Sequence, residues 1–146
     1  MHIKNEIKLE LLAISRNEAF ARQAVASFVS QLSITVEELS DIKTAVSEAV
    51  TNSIVHGYGE SLGFVTLECR LFENEGNSQT IEIAIIDSGK GIEDIEKARE
   101  PLYTSQPERE RSGMGFTVME TFMDEVSVVS SVGRGTKVAL RKTIRS

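Results

Sequence analysis

Cysteine occurs once in this chain of 146 residues, at Cys69, so an intrachain disulfide and a zinc site of several thiolates are both excluded. Cys69 stands in an apolar, strand-like run, the setting of a packed structural thiol. Histidine is nearly as scarce. With only His2 and His56, the chain has no material for a histidine metal cluster or a Ser-His-Asp triad, and His56 reads as a cation at a helix C-terminus. Basic residues are outnumbered 16 to 22, a formal charge of −6, which argues against a direct nucleic-acid partner. No apolar run approaches the ~18–20 residues of a membrane span. The first residues interleave Lys4, Glu6, Lys8 and Glu10 with no signal-peptide block, so a cytoplasmic protein without a membrane partner is expected. Also missing are a Gly-x-x-x-x-Gly-Lys-Ser/Thr loop, a three-glycine dinucleotide fingerprint, a His-Glu-x-x-His helix and the protein-kinase signature set. There are no repeats, low-complexity segments or linkers, and the length suits one domain over residues 1–146.

What is present is the balance of a globular protein, 40% hydrophobic and 26% charged. Alternation over Ile7–Ile14 predicts an opening strand. Ser15 and Asn17 suit the N-cap of a helix running to about Leu32, with Phe20, Ala24 and Phe28 beside Ala21, Val25 and Val29 on its apolar face. A long helix is expected over Thr35–His56, opened by a Thr35/Glu38 capping box and stopped at Gly57. Its buried stripe runs through Leu39, Ile42, Val46, Ala49, Val50 and Ile54. The period then becomes twofold: Phe64–Phe72 and Gln79–Asp87 read as a hairpin around the polar loop Glu73–Asn77. A short helix over Glu93–Arg99 is followed by Leu102–Ser112, which has no period and reads as a mobile loop between Pro101 and the next helix. That helix opens at Gly113-Met114-Gly115 and reaches about Met123, and Val126–Val129 and Thr136–Ile144 close the chain as a hairpin. The fold class expected is α/β: about five strands in a mixed sheet, with helices packed mainly on one face.

Chemistry concentrates at four places. Glu48 and Asn52 are one helical turn apart, off the centre of the apolar stripe, with His56 continuing the row. A carboxylate beside an amide oxygen can activate a hydroxyl and hold a hard cation at one point, although such a pair on its own is more often solvated. Asp87-Ser88-Gly89-Lys90-Gly91 puts a carboxylate at the end of a buried strand, followed by glycines that let a flat ligand approach the backbone. That carboxylate can accept from an exocyclic amine. Gly113-Met114-Gly115 stands at a helix start, where free N–H groups favour phosphate. Gly133-Arg134-Gly135-Thr136 reads on its own as a hairpin turn.

In order and spacing, Glu48-x-x-x-Asn52, Asp87-x-Gly89-x-Gly91, Gly113-x-Gly115 and Gly135-Thr136 resemble the nucleotide-site boxes of the ATP-binding superfamily shared by gyrase, Hsp90, histidine kinases and MutL. Within it, the runs Asn17–Arg22, Val46–Tyr58 and Glu110–Thr117 resemble the anti-sigma F factors of endospore-forming bacteria, and the likeness covers nearly the whole chain. Two places depart from that pattern: Asp87-Ser88-Gly89 stands for Asp-Glu-Gly, and Tyr103-Thr104-Ser105-Gln106-Pro107 for Phe-Thr-Thr-Lys-Pro, which removes a lid lysine at Gln106.

The resemblance implies a two-layer, histidine-kinase-like ATPase fold and a homodimeric, Mg-ATP-dependent serine kinase. Such a protein binds and inhibits the sporulation sigma factor F and phosphorylates a serine of an anti-anti-sigma factor. Carried over by position, Glu48 is the general base and Asn52 the Mg2+ ligand. Asp87 holds the adenine amine with Gly89 in its turn, Gly91 and Thr136 border the base, and Ser112, Gly113, Met114 and Gly115 cradle the phosphates. Arg111 meets the terminal phosphate, and Arg22 faces both protein partners. A histidine-kinase catalytic fragment would need a separate phosphoacceptor helix, and an ATP-driven clamp would need domains to transmit closure. A module that uses ATP only to shape a binding surface is the non-catalytic alternative.

Overall fold

The computed structural model describes residues 1–58, 61–100 and 115–145. The expected features at Pro101, Leu102–Ser112, Gly113 and Met114, including Arg111, Ser112 and Gln106, lie outside the described residues. The elements run β1 (His2–Leu12), α1 (Arg16–Val29), α2 (Val36–Asn52), a π-helical turn (Ser53–Tyr58), β2 (Phe64–Glu73), β3 (Ser78–Asp87), α3 (Ile95–Ala98), α4 (Gly115–Phe122), β4 (Glu125–Ser131) and β5 (Gly135–Arg145).

The strands form one sheet in the order β1-β2-β3-β5-β4. The count of about five strands is as expected, but every pairing among the described residues is antiparallel, which corrects the expected mixed sheet. The reason is topological. Two helices separate β1 from β2, so the chain returns reversed and pairs antiparallel. Between β3 and β4, β5 inserts itself, so those two strands share a direction without touching.

Alternation gives each strand one apolar side. Val65, Leu67, Cys69 and Leu71 of β2, Ile81, Ile83 and Ile85 of β3, and Val138, Leu140 and Ile144 of β5 pack into one core with the helices. Burial pushes the Cys69 thiol up to about 12, so it stays protonated as a packing group. On the opposite face, register partners carry opposite charges in a row from Glu6 through Arg70 and Glu82 to Arg141. One face is therefore dry and one wet, with the helices on the dry one.

Helix α2 lies between α1 and α4, and its stripe Ile42, Ala45, Val46, Ala49, Val50 is fully enclosed. Its start is set by the capping box: Thr35 Oγ1 accepts from the Glu38 N–H at 3.0 Å and Glu38 Oε1 from the Thr35 N–H at 2.9 Å. Its end differs from the expectation of one helix to His56. After Asn52 the winding loosens into a π turn over Ser53–Tyr58. On α1 the buried residues are Ala21, Val25, Ala26, Phe28 and Val29. Phe20, placed on the apolar face by its periodicity, is 54% exposed: it lies about 100° from Ala21 around the helix and faces outward. Ser15 occupies the N-cap position without a side-chain cap bond, and Asn17 Nδ2 instead donates to the Leu12 carbonyl at 2.8 Å.

Candidate nucleotide site

A cavity of about 640 Å³ opens where the end of α2, the π turn, the β3 end, α3, α4 and the β4–β5 hairpin meet. Asn52, Asp87, Gly91, Gly115 and Thr136 all line it, although they come from four separate stretches of sequence. Lys90, Lys97 and His56 add cationic or titratable groups to the wall, and Ile92, Phe116, Val132 and Val138 add an apolar one. A site with apolar walls and a few converging polar groups is the usual form of a small-molecule pocket.

Asp87 is its most constrained polar group. It ends β3, pairs in register with Thr136, and is only 5% exposed. Burial raises its pKa above the ordinary carboxylate value, while hydrogen bonds from the Gly89 N–H, the Ser53 hydroxyl and the Thr136 N–H act the other way. The Gly89 N–H lies 2.9 Å from Oδ1. A buried carboxylate that only accepts suits a donor on a ligand, such as an amine on a base.

Around Asp87 the glycines are required by the protein's own packing. A Cβ at Gly89 would stand 2.2 Å from the Gly57 carbonyl oxygen, and Gly89 does not line the cavity. Gly91 does line it, at φ +79°, but a Cβ there would meet the Ser131 carbonyl oxygen at 2.3 Å. Gly89→Ala is therefore expected to lower the unfolding free energy by about 1–3 kcal/mol, since backbone must move to admit one methyl. Denaturant melts of the folded variant measure this, and an unchanged midpoint would mean the Gly57–Gly89 contact is loose.

At the other end of the cavity, Gly115 begins α4 beside the acid-amide pair. A Cβ on Gly115 would lie 3.1 Å from Asn52 Nδ2, 3.2 Å from Asn52 Oδ1 and 3.4 Å from Glu48 Oε2. Glu48 is not among the residues that line the cavity. It lines a second groove, of about 460 Å³, between α1 and α2, with Arg22, Lys43, Thr44 and Ser47. Arg22 is half-buried at the rim and donates from Nη1 to Ser47 Oγ at 3.2 Å. Asn52 thus lines the cavity and Glu48 the groove, and both side chains approach Gly115.

Residues 13–142 match the family described as histidine kinase-like ATPase domain. The anti-sigma F factor of Clostridium novyi (strain NT) is 55% identical over 143 residues, covering 97% of this chain and 96% of its own. That of Oceanobacillus iheyensis is 57% identical over 143 residues, with 97% and 94% covered. This chain belongs to the anti-sigma F factor family. Its domain is a kinase-type ATPase. The crystal structure of the RsbU and RsbW domains of Rv1364c from Mycobacterium tuberculosis superposes with a TM-score of 0.60 over 98% of this chain. At 15% identity that likeness shows the fold alone, and this chain spans 33% of that polypeptide.

Several lining or supporting residues were not singled out from the sequence. Ser53 is buried and bonds Asp87, and its signal was a hydroxyl on an apolar helical stripe next to Ile54. Phe116 opens the apolar side of α4 and lines the cavity. For Lys97 no pattern marked the position, because α3 is a single turn capped by Asp94.

Proposed function

We propose that this chain is an anti-sigma factor that holds a sporulation sigma factor F inactive and, as an ATP-dependent protein serine kinase, phosphorylates a serine of an anti-anti-sigma factor. The reading takes residues 1–146 as one kinase domain that works as a homodimer in the cytoplasm. The observation that carries it is that the Glu48 carboxylate, which lines the α1–α2 groove, and the Asn52 amide, which lines the cavity, both approach Gly115; the reading puts nucleotide in the cavity and the acceptor hydroxyl in the groove. A base placed there removes the proton of a hydroxyl arriving from the groove as the terminal phosphoryl group arrives from the cavity. Phosphoryl transfer passes through a loose transition state, so positioning of this kind outweighs base strength.

Within the cavity, Asp87 accepts from the adenine amine, Gly91 and Thr136 border the base, and Gly115 begins the helix whose free N–H groups face the phosphates. Gly113, Met114, Ser112 and Arg111 belong to the same proposal by sequence. Mg2+ fits what is present. Among the described residues no group of three or more His, Cys, Asp and Glu side chains is placed to hold a metal, whereas the Asn52 amide stands at the cavity wall beside Gly115. Asn52 would give one oxygen, with phosphates and water completing the shell. The ion would supply charge neutralisation at the phosphates.

For the protein partners, α1 offers the half-buried Arg22 at the groove rim and the outward-facing Phe20, and arginine is among the side chains most often central to interfaces.

Asn52→Ala is expected to weaken Mg-nucleotide binding roughly tenfold or more, the worth of a bond to a charged group. Calorimetric titration with Mg-ATP reads it, and an unchanged affinity would remove the assignment. The function as a whole is tested by incubating the protein with labelled ATP and an anti-anti-sigma partner and locating the label. Phosphoserine on the partner supports the reading. Phosphohistidine would make the chain a histidine-kinase-type catalyst, and no transfer would leave an ATP-dependent binding module.

A further inference from the structure

Tyr58 closes the π turn, and its hydroxyl is used at both ends. It donates to the Phe64 carbonyl at 2.6 Å and accepts the Ser88 N–H at 2.7 Å. Phe64 is the first residue of β2, and the next, Val65, is the register partner of Asp87. Ser88 is the residue directly after Asp87. One phenolic oxygen therefore ties the β2 start to the peptide that carries the Asp87 carboxylate.

The surroundings are built for the ring. A Cβ at Gly63 would stand 2.3 Å from Tyr58 Cε1, so the space a side chain would take is filled by the tyrosine. The neighbouring Gly57 fastens the same turn one step further on, its carbonyl accepting the Lys90 N–H at 2.9 Å. The turn after Asp87 is thus pinned on both sides of Gly89, at Ser88 by Tyr58 and at Lys90 by Gly57. Lys90 in turn accepts from the Gly133 N–H at 2.7 Å, which carries the bracing into the β4–β5 hairpin. Tyr58 is not among the residues lining the cavity, so it reaches a bound base only through Asp87.

We infer that Tyr58 is a positioning residue for nucleobase recognition, its hydroxyl fixing the Asp87–Ser88 peptide so that the carboxylate is held to read an exocyclic amine. This rests on the proposed role of Asp87 as the adenine ligand. Two hydrogen bonds to main-chain groups make the device specific to the phenol oxygen and not to the ring. Tyr58→Phe removes that oxygen and leaves the packing against Gly63 in place.

The test compares ATP with inosine triphosphate, which lacks the amine, in steady-state transfer to the protein substrate. Tyr58→Phe is expected to raise KM for ATP roughly tenfold, about the worth of one well-placed hydrogen bond. KM for inosine triphosphate and kcat for both nucleotides are expected to stay within about twofold. A merely structural role would shift both nucleotides together or lower kcat, and that result overturns the inference. Asp87→Asn is the control for the foundation and is expected to lose the preference for ATP. If it keeps that preference, the adenine role of Asp87 fails and the inference falls with it. If Asp87→Asn loses the preference while Tyr58→Phe keeps it, the inference about Tyr58 alone is overturned. Should Tyr58→Phe not fold, para-aminophenylalanine in place of Tyr58 keeps a polar group but accepts the Ser88 N–H poorly. The same narrowing of the ATP preference is then expected, and an unchanged preference overturns the inference.

Discussion

Glu48→Gln is expected to leave ATP binding intact while slowing phosphoryl transfer by about 10²–10⁴, the range for loss of a general base. The separation follows from the two recesses. Asn52, one turn on, lines the cavity proposed for the nucleotide, whereas Glu48 lines the α1–α2 groove and is not among the cavity's lining residues. Glutamine keeps the volume and one acceptor oxygen but cannot take up a proton at neutral pH. Nucleotide titration and single-turnover transfer to the protein substrate, run on the same preparation, check both halves. Equal transfer rates in parent and variant would make Glu48 a bystander. A large loss of ATP affinity would place it on the nucleotide side and exchange its role with that of Asn52.

This pair also shows how far the sequence alone could go. A separation of four residues on a helix puts Glu48 and Asn52 on one row, and the capping box at Thr35 and the apolar stripe through Val46 and Val50 fix which way that row faces. Hairpin β2–β3 was equally readable, because strict alternation and a polar five-residue loop leave little choice of register. Strand order is another matter. Nothing local to Gly135–Arg145 says that β5 enters between β3 and β4, and without that the sheet could not be known to be antiparallel throughout. The π turn was hidden for a related reason: Ile54 still falls on the helical stripe, and loosening begins only where the chain must carry Gly57 to within contact of Asp87. Glycines were found at the right turns for an incomplete reason. Gly89 and Gly91 are demanded by Gly57 and Ser131, main-chain neighbours that lie far off in sequence. Tyr58 left no signal, since a hydroxyl that bridges two main-chain groups has no spacing rule.

Arg22→Glu is expected to weaken binding of both the sigma factor and the anti-anti-sigma partner by about 30-fold or more, from ~2–4 kcal/mol for reversing a charge at an interface centre. The side chain is held at the groove rim by its 3.2 Å bond to Ser47 Oγ and is not part of the nucleotide cavity, so folding and ATP binding are expected to survive. Arginine suits the position because its planar fork pairs bidentately with a carboxylate on either partner. Lys43 lines the same groove and would favour the same sign of ligand, while a glutamate at position 22 would face Glu48 across it. An arginine that served both proteins would make them exclude one another, and the parent protein is then expected to show competition between them. Separate titrations of each partner against the folded variant measure the loss. Arg22→Ala divides it: truncation removes the pairing group and the Ser47 bond without adding repulsion, and is expected to fall between parent and Arg22→Glu. If neither affinity moves in either variant, Arg22 is a surface arginine bonded to its neighbouring helix, and the two partners dock elsewhere.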